Sequence, residues 1–287
     1  MTPPPFRGTA PVRWYHHARF ERSEMAASFA LVTGASSGFG IDFARGLARR
    51  GYDLILVARR AERLQEVAAA IERDFACSVE TVVADLGVDD ERVRLAQRVE
   101  TFGKPVEVLV NNAGLGLYGS FDVIPWEKEK QMLAIDIDAV VHLSKLFTPG
   151  MVARKKGFVL NVASVGAYQP TPLYASYSAA KAFVLSFSQA LNFELRRTGV
   201  SVTTVSPGIA STEFLTVSKQ TATFYQRLLM MSSEDVVSSA LKALFARRST
   251  VVPGFVNAAV AYSGKIMPGS LAVRFAYGVM RSNEVSH

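Results

Sequence analysis

Short runs that are mostly apolar, without a regular apolar–polar alternation, alternate along this chain with helical stretches of about a dozen residues or more. The runs are 28–33, 53–57, 78–84, 106–110, 158–163 and 200–205. The stretches between and after them are 39–50, 61–75, 89–102, 126–156, 174–197 and 234–247, the last capped by Ser232 or Ser233. A strand with one solvated face alternates apolar and polar residues, so mostly apolar strands without that alternation belong to a sheet covered on both sides. Helices long enough to cross over the sheet between strands make it parallel and doubly wound, an α/β fold. Only 126–156 is irregular, with Pro149 and Gly150 expected to interrupt it.

The pattern runs without a break over 25–255, which is read as one domain within the 287 residues. Hydrophobic residues make up 49%, enough for a sizeable core and too many for a disordered chain. A single cysteine, Cys77, rules out a disulfide scaffold and suits a reducing compartment, so a cytoplasmic location is expected. Residues 1–24 hold Pro3-Pro4-Pro5, no apolar run and four arginines, and read as a disordered basic arm. The net charge of +7 divides into +2 in this arm and +5 in 240–287, leaving 25–239 balanced. Nucleic acid is therefore a poor partner, because the cations form no stripe across the domain.

The first strand runs into Gly34-Ala35-Ser36-Ser37-Gly38-Phe39-Gly40. Glycines here let the backbone turn sharply and approach a pyrophosphate, while the next helix aims its N-terminal N–H groups at the anion. Gly34, Ser36, Ser37, Gly38, Phe39 and Gly40 are thus candidate cofactor contacts in a Rossmann-type sheet. At the end of the second strand, where an acidic residue would bond the ribose of NAD, stands Arg59, suited to the extra phosphate of NADP. Ser36 is a possible helper, and Arg60 reads equally as a solvated helix start. Asp85, followed by Leu86, ends the third strand, where a side chain meets an adenine edge. Asn111-Asn112-Ala113-Gly114 ends the fourth, on the crevice where open α/β sheets bind ligands.

Ser164 ends the fifth strand, and Tyr177 and Lys181 lie one helical turn apart on one face. A nearby ammonium favours phenolate and is expected to lower the pKa of Tyr177, making it a proton donor and acceptor near neutrality. Tyr174 lacks a lysine four residues on and is not the candidate. His142 reads as structural, and His16 and His17 lack the partners of a metal site, so no metal is expected.

Taken in order, Thr33–Gly40, Asp85, Asn111–Gly114, Ser164, Tyr177 with Lys181, Pro207-Gly208 and Thr212 make the chain resemble the short-chain dehydrogenase/reductase superfamily over about 28–255. The resemblance implies that Tyr177 moves a proton to or from a substrate oxygen and that Lys181 assists it and holds the nicotinamide ribose. It also implies that Ser164 orients the substrate, and that Pro207, Gly208 and Thr212 touch the nicotinamide end. Asn111 would line the cofactor channel through its backbone or its amide, beside Asn112, Ala113 and Gly114. Asp136 stands where the family usually has an asparagine. An ionised carboxylate there would stabilise the Lys181 ammonium and weaken its pull on Tyr177.

The activity implied is NADP(H)-dependent interconversion of a carbonyl and a hydroxyl on a small hydrophobic substrate, with NADP(H) preferred over NAD(H). The alternative is a catalytically weak dinucleotide-sensing module that recruits a partner. Apolar residues after Gly208, among them Phe214, Leu215, Phe224, Tyr225 and Met230, with Leu115, Leu117, Tyr118 and Tyr168, favour a hydrophobic ketone or alcohol. By family analogy the chain forms a homo-dimer or homo-tetramer. The extension 256–287 mixes large apolar residues with Lys265, Arg274 and Arg281. It suits packing on its own domain, on a dimer mate, or peripherally on an anionic membrane.

Overall fold

Residues 28–208 and 230–280 are described by the computed structural model. Seven strands form one parallel sheet in the order β3-β2-β1-β4-β5-β6-β7. They are β1 (Phe29–Thr33), β2 (Asp53–Ala58), β3 (Val79–Val83), β4 (Val106–Asn111), β5 (Gly157–Val162), β6 (Val200–Val205) and β7 (Thr250–Val251). The two-residue β7 carries no sequence signal of its own. It pairs Thr250 with Thr204 and Val251 with Val205 at the sheet edge.

Burial on both faces explains the apolar runs. Ala30, Val32, Leu54, Leu56, Val108 and Val110 face one core, shared with α1 (Phe39–Ala48), α2 (Ala61–Asp74) and α7 (Ser233–Phe245). Phe29, Leu31, Ile55, Val57, Leu109 and Val159 face the other, against α3 (Asp89–Glu100) and α5 (Ala139–Ala153). With side chains alternating along each strand, both sets must be apolar. Edge strand β3 is only partly buried and accommodates Glu80 and Thr81.

The long stretch after β4 breaks in an unexpected place. Pro149 lies inside α5 without ending it, because packing on β4 and β5 outweighs the one backbone hydrogen bond that proline forfeits. The irregularity sits earlier, between α4 (Trp126–Leu133) and α5, where Ala134–Asp138 form a π-helical turn. It is followed in the chain by a 3₁₀ turn at Val165–Tyr168 after β5, then α6 (Ala175–Leu195). Two further helices close the described chain, α8 (Phe255–Ile266) and α9 (Gly269–Met280). Ser232 caps α7, its hydroxyl accepting the Asp235 N–H at 3.1 Å.

Beneath the carboxyl ends of the strands a buried polar chain ties sheet to helices. Asn111 Nδ2 donates to Asn161 Oδ1 at 2.8 Å and lies 3.4 Å from the Ser144 hydroxyl of α5. Asn161 Nδ2 in turn donates to the Ser188 hydroxyl of α6 at 2.8 Å. Asn161 is wholly buried, so its truncation leaves paired groups desolvated without partners. Asn161→Ala should lower the free energy of unfolding by about 2–3 kcal/mol, read from urea titration, with the native secondary structure retained.

Candidate active site

The order β3-β2-β1-β4 reverses direction between β1 and β4, and a crevice opens beyond their carboxyl ends. The glycine loop fills its floor. Gly34 sits at φ +66°, and a Cβ on Gly40 would fall on the Gly34 carbonyl, well inside van der Waals contact. No side chain fits between loop and helix there, which lets a phosphate approach the start of α1. The cap position of α1 is Gly38, which has no side chain to occupy it. Gly40 N–H donates to the Ser37 carbonyl at 3.2 Å, and Phe39 packs against the core. The loop is held from β4: Asn112 Nδ2 donates to the Thr33 carbonyl at 2.9 Å, and Ala113 N–H to the Thr33 hydroxyl at 3.0 Å.

Both arginines after β2 reach this crevice. Arg59 lies half exposed, its guanidinium 3.9 Å from Asp85 Oδ2. Arg60, read from sequence as equally a solvated residue, donates to the Ser36 hydroxyl at 3.2 Å and to the Ser36 carbonyl at 3.3 Å. Asp85 Oδ1 also accepts the Gly87 N–H at 2.9 Å. Leu86 buries its side chain in the core, and its carbonyl accepts from Arg92. His142 is structural, as expected: its Nδ1 accepts from Arg92 Nε at 3.1 Å. Among the described residues no cluster of three or more histidine, cysteine or carboxylate side chains is arranged to hold a metal.

Ser164, Tyr177, Lys181 and Asp136 converge at the ends of β4 and β5. Ser164 leads the 3₁₀ turn, its hydroxyl accepting the Gly166 N–H at 3.1 Å and bonding Tyr177. Tyr177 and Lys181 occupy the first two turns of α6. Lys181 is buried, donates to the Val162 carbonyl at 3.2 Å, and pairs with Asp136 Oδ2 at 3.1 Å. Asp136 has no exposed surface, and its other oxygen accepts the Leu115 N–H at 2.7 Å. A Cβ on Gly114 would lie 3.2 Å from both Asp136 Oδ1 and Lys181 Nζ, so only glycine lets the β4 loop pass this pair without crowding.

This pair changes the expected electrostatics of Tyr177. Burial raises the Asp136 carboxyl above its ordinary range, opposed by the Lys181 ammonium and the Leu115 N–H. The Tyr177 phenol is raised as well, not lowered: burial disfavours its phenolate first and the Asp136 charge second, with the Ser164 hydrogen bond opposing both. Lys181 spends its charge on Asp136 and stands 5.7 Å from the centre of the Tyr177 ring.

Other expectations shift. Asn111 turns its amide into the buried polar chain rather than into the cofactor channel, because Asn161 and Ser144 are its partners. Tyr174 is not idle. Its ring lies between Tyr118 at 5.2 Å and Tyr177 at 5.6 Å, an aromatic row beside the catalytic helix. Pro207 accepts the Val165 N–H at 2.9 Å, joining β6 to the turn after Ser164. A Cβ on Gly208 would lie 2.6 Å from the Asn257 side chain, which is buried at the start of α8. Asn257 carried no motif; only its place after Gly254 hinted at a helix start. Thr212 and the apolar residues of 214–225 lie outside the described residues.

Asp136→Asn removes the charge that destabilises the Tyr177 phenolate while keeping a carbonyl oxygen for Leu115. The pH at which reduction falls off, and at which oxidation rises, should move down by about 0.5–1 unit. A pH–rate profile of variant against wild type reads this directly, and an unmoved or upward-moving limb would contradict the assignment.

Known proteins are similar to this chain in sequence and fold. The family model of short chain dehydrogenases matches residues 28–223. A very-long-chain 3-oxoacyl-CoA reductase of Phaeosphaeria nodorum is 37% identical over 201 residues, 68% of this chain and 58% of that protein. The mouse very-long-chain 3-oxoacyl-CoA reductase is 31% identical over 265 residues, 88% of this chain and 80% of that protein. The chain thus spans about three-fifths of the length of the fungal relative. Among solved structures, a short-chain dehydrogenase from Sphingobium yanoikuyae in complex with NADPH superposes with a TM-score of 0.75 at 29% identity, covering 90% of this chain and 98% of that one. With a family model matched over more than half its length, this chain belongs to the short-chain dehydrogenases.

Proposed function

We propose that the chain is an NADPH-dependent reductase that converts the 3-oxo group of a long-chain acyl thioester to a hydroxyl. The observation that carries this is the convergence of Ser164, Tyr177 and the Asp136–Lys181 pair beside the glycine-lined crevice. The relatives named as 3-oxoacyl-CoA reductases move the substrate from the small ketone expected from sequence to an acyl thioester. Partly buried Leu115, Leu117 and Tyr118, next to the Tyr174 and Tyr177 rings, supply apolar contact for an acyl chain.

The glycine cradle fits a dinucleotide, with Arg59 and Arg60 beside Ser36 and Asp85 to receive a ribose phosphate. The bound nicotinamide supplies the hydride. Ser164 donates a hydrogen bond to the substrate carbonyl oxygen and fixes its position. Tyr177 transfers its hydroxyl proton to that oxygen as the alkoxide develops. A phenol held above its ordinary pKa remains protonated at neutral pH, which suits the acid role and hence reduction. Lys181, oriented by Asp136 and the Val162 carbonyl, has its charge largely answered by Asp136 and is placed to hold the nicotinamide ribose. We place the chain in the cytoplasm and, by analogy with its family, read it as a homo-dimer or homo-tetramer.

Purified protein should oxidise NADPH with 3-oxoacyl-CoA substrates, with kcat/KM rising from short to long chains. Tyr177→Phe should lower kcat by about 10²–10⁴-fold with NADPH binding unchanged. Tight NADPH binding without turnover of any 3-oxoacyl-CoA or ketone would favour the dinucleotide-sensing module instead. In fluorescence titrations NADPH should bind more tightly than NADH, and Arg59→Ala should weaken NADPH binding by about 10–100-fold while sparing NADH. Equal wild-type affinities would refute the preference.

A further inference from the structure

The last two described helices are amphipathic in the wrong sense for a protein surrounded by water. Inward they bury small residues, with Ala261, Ala272 and Ala276 each 1% exposed. Outward they present Phe255, Val256, Ile266, Leu271, Phe275 and Tyr277, of which Phe255 is 90% and Ile266 86% exposed. A helix packed on a soluble domain normally buries its largest apolar side chains, and an apolar patch on this scale marks a contact surface. The charge pattern says what covers it. Within α8 and α9 the sequence has two cations, Lys265 and Arg274, and no carboxylate. A second copy of the chain docked face to face would oppose these cations to their equals, with no acidic residue in the segment to neutralise them. A surface offering both an apolar interior and negative headgroups satisfies both features.

We infer that α8 and α9 form a docking face for an anionic lipid bilayer, lying in its interfacial plane. No described helix is long and apolar enough to cross a membrane, so the contact is peripheral. The face adjoins the catalytic machinery. Tyr262 of α8 packs edge-on against Tyr168 at 5.5 Å, in the turn that Ser164 begins. Asn257 of the same helix lies against Gly208. Docking therefore brings the bilayer up to an element that walls the site, on the side where an apolar substrate leaves lipid.

Flotation of the full-length chain with vesicles tests this independently of activity. Vesicles of phosphatidylcholine mixed with phosphatidylglycerol should carry the protein up the gradient. Pure phosphatidylcholine vesicles, or the mixed ones in high salt, should carry about tenfold less. Ile266→Ser with Phe275→Ser should cut binding to mixed vesicles by about tenfold or more, with thermal unfolding and NADPH affinity unchanged. Arg274→Gln, a change at an exposed position that leaves the apolar face intact, should weaken binding by several-fold and reduce its dependence on salt. Wild type that stays at the bottom with mixed vesicles, or variants that float as wild type does, would overturn the inference. So would conversion of a wild-type dimer to monomers by the double substitution without any loss of vesicle binding, which would assign the face to a second copy.

Discussion

A parallel strand buried on both faces has nowhere to put polar chemistry except at its ends. From Phe29 to Val32 in β1, Leu54 to Ala58 in β2 and Val108 to Val110 in β4, every position is taken by a residue of one core or the other. Loops leaving the carboxyl ends are therefore the only part of the sheet that meets both solvent and the starts of helices. That constraint puts the glycine loop, the Asn112–Gly114 loop and Ser164 side by side, although more than a hundred residues separate the first from the last. It also makes the site depend on the register of the sheet. Thr33 ends β1, and its hydroxyl receives the N–H groups of Asn112 and Ala113 beyond β4. A slip of one residue between these strands would break both bonds and point core residues at the wrong layer.

The Tyr177 phenol, the proton donor of the proposed reaction, is tuned by burial and by the charge of Asp136. Asp136 is brought to Lys181 by the π-helical turn, whose extra residue per turn rotates the side chain out of the regular helical sequence. The pair is sealed by the Leu115 N–H and the Val162 carbonyl, so two buried charges are each compensated from the backbone as well as from one another. An asparagine in this place would hold the same loop but leave the lysine's charge to act on the phenol. With aspartate, the ammonium is largely answered before it reaches the ring, and the protonated phenol is the favoured state.

Most of the sheet and the residues that converge on the candidate site were legible because each rests on a local pattern. Apolar runs marked β1, β2 and β4–β6 to within a residue or so, and Tyr177 and Lys181 announced themselves by a four-residue spacing. What stayed hidden depends on distant partners. Pro149 looks like a helix breaker because the contacts that keep α5 intact are with β4 and β5. The raised Tyr177 phenol follows from burial and from a carboxylate forty-one positions earlier in the chain, neither of which a spacing reveals. Arg60 looks like any residue at the start of a helix until Ser36 is found within hydrogen-bond reach. Asn111 belongs to a recognisable cluster, yet its amide answers to Asn161 on the neighbouring strand.

Charge is treated differently in the two parts of the molecule. Within the sheet domain, several buried ionised groups meet opposite partners: Asp53 with Lys104, Glu107 with Lys156, Arg92 with Asp89 and Asp136 with Lys181. Each pairing offsets a desolvation penalty that an isolated charge could not bear. After Asp235 the sequence abandons this balance, and cations run on to Arg281 with no carboxylate among them. Its last two helices, α8 and α9, expose most of their large apolar residues and bury Ala261, Ala272 and Ala276. Solubility alone would ask for the reverse of the second feature, and internal packing would ask for partners to the first. Both are satisfied together only by something outside the chain that is negative at its surface and apolar beneath. Because α8 rests on the turn that begins at Ser164, whatever the face binds is brought directly to the wall of the active site.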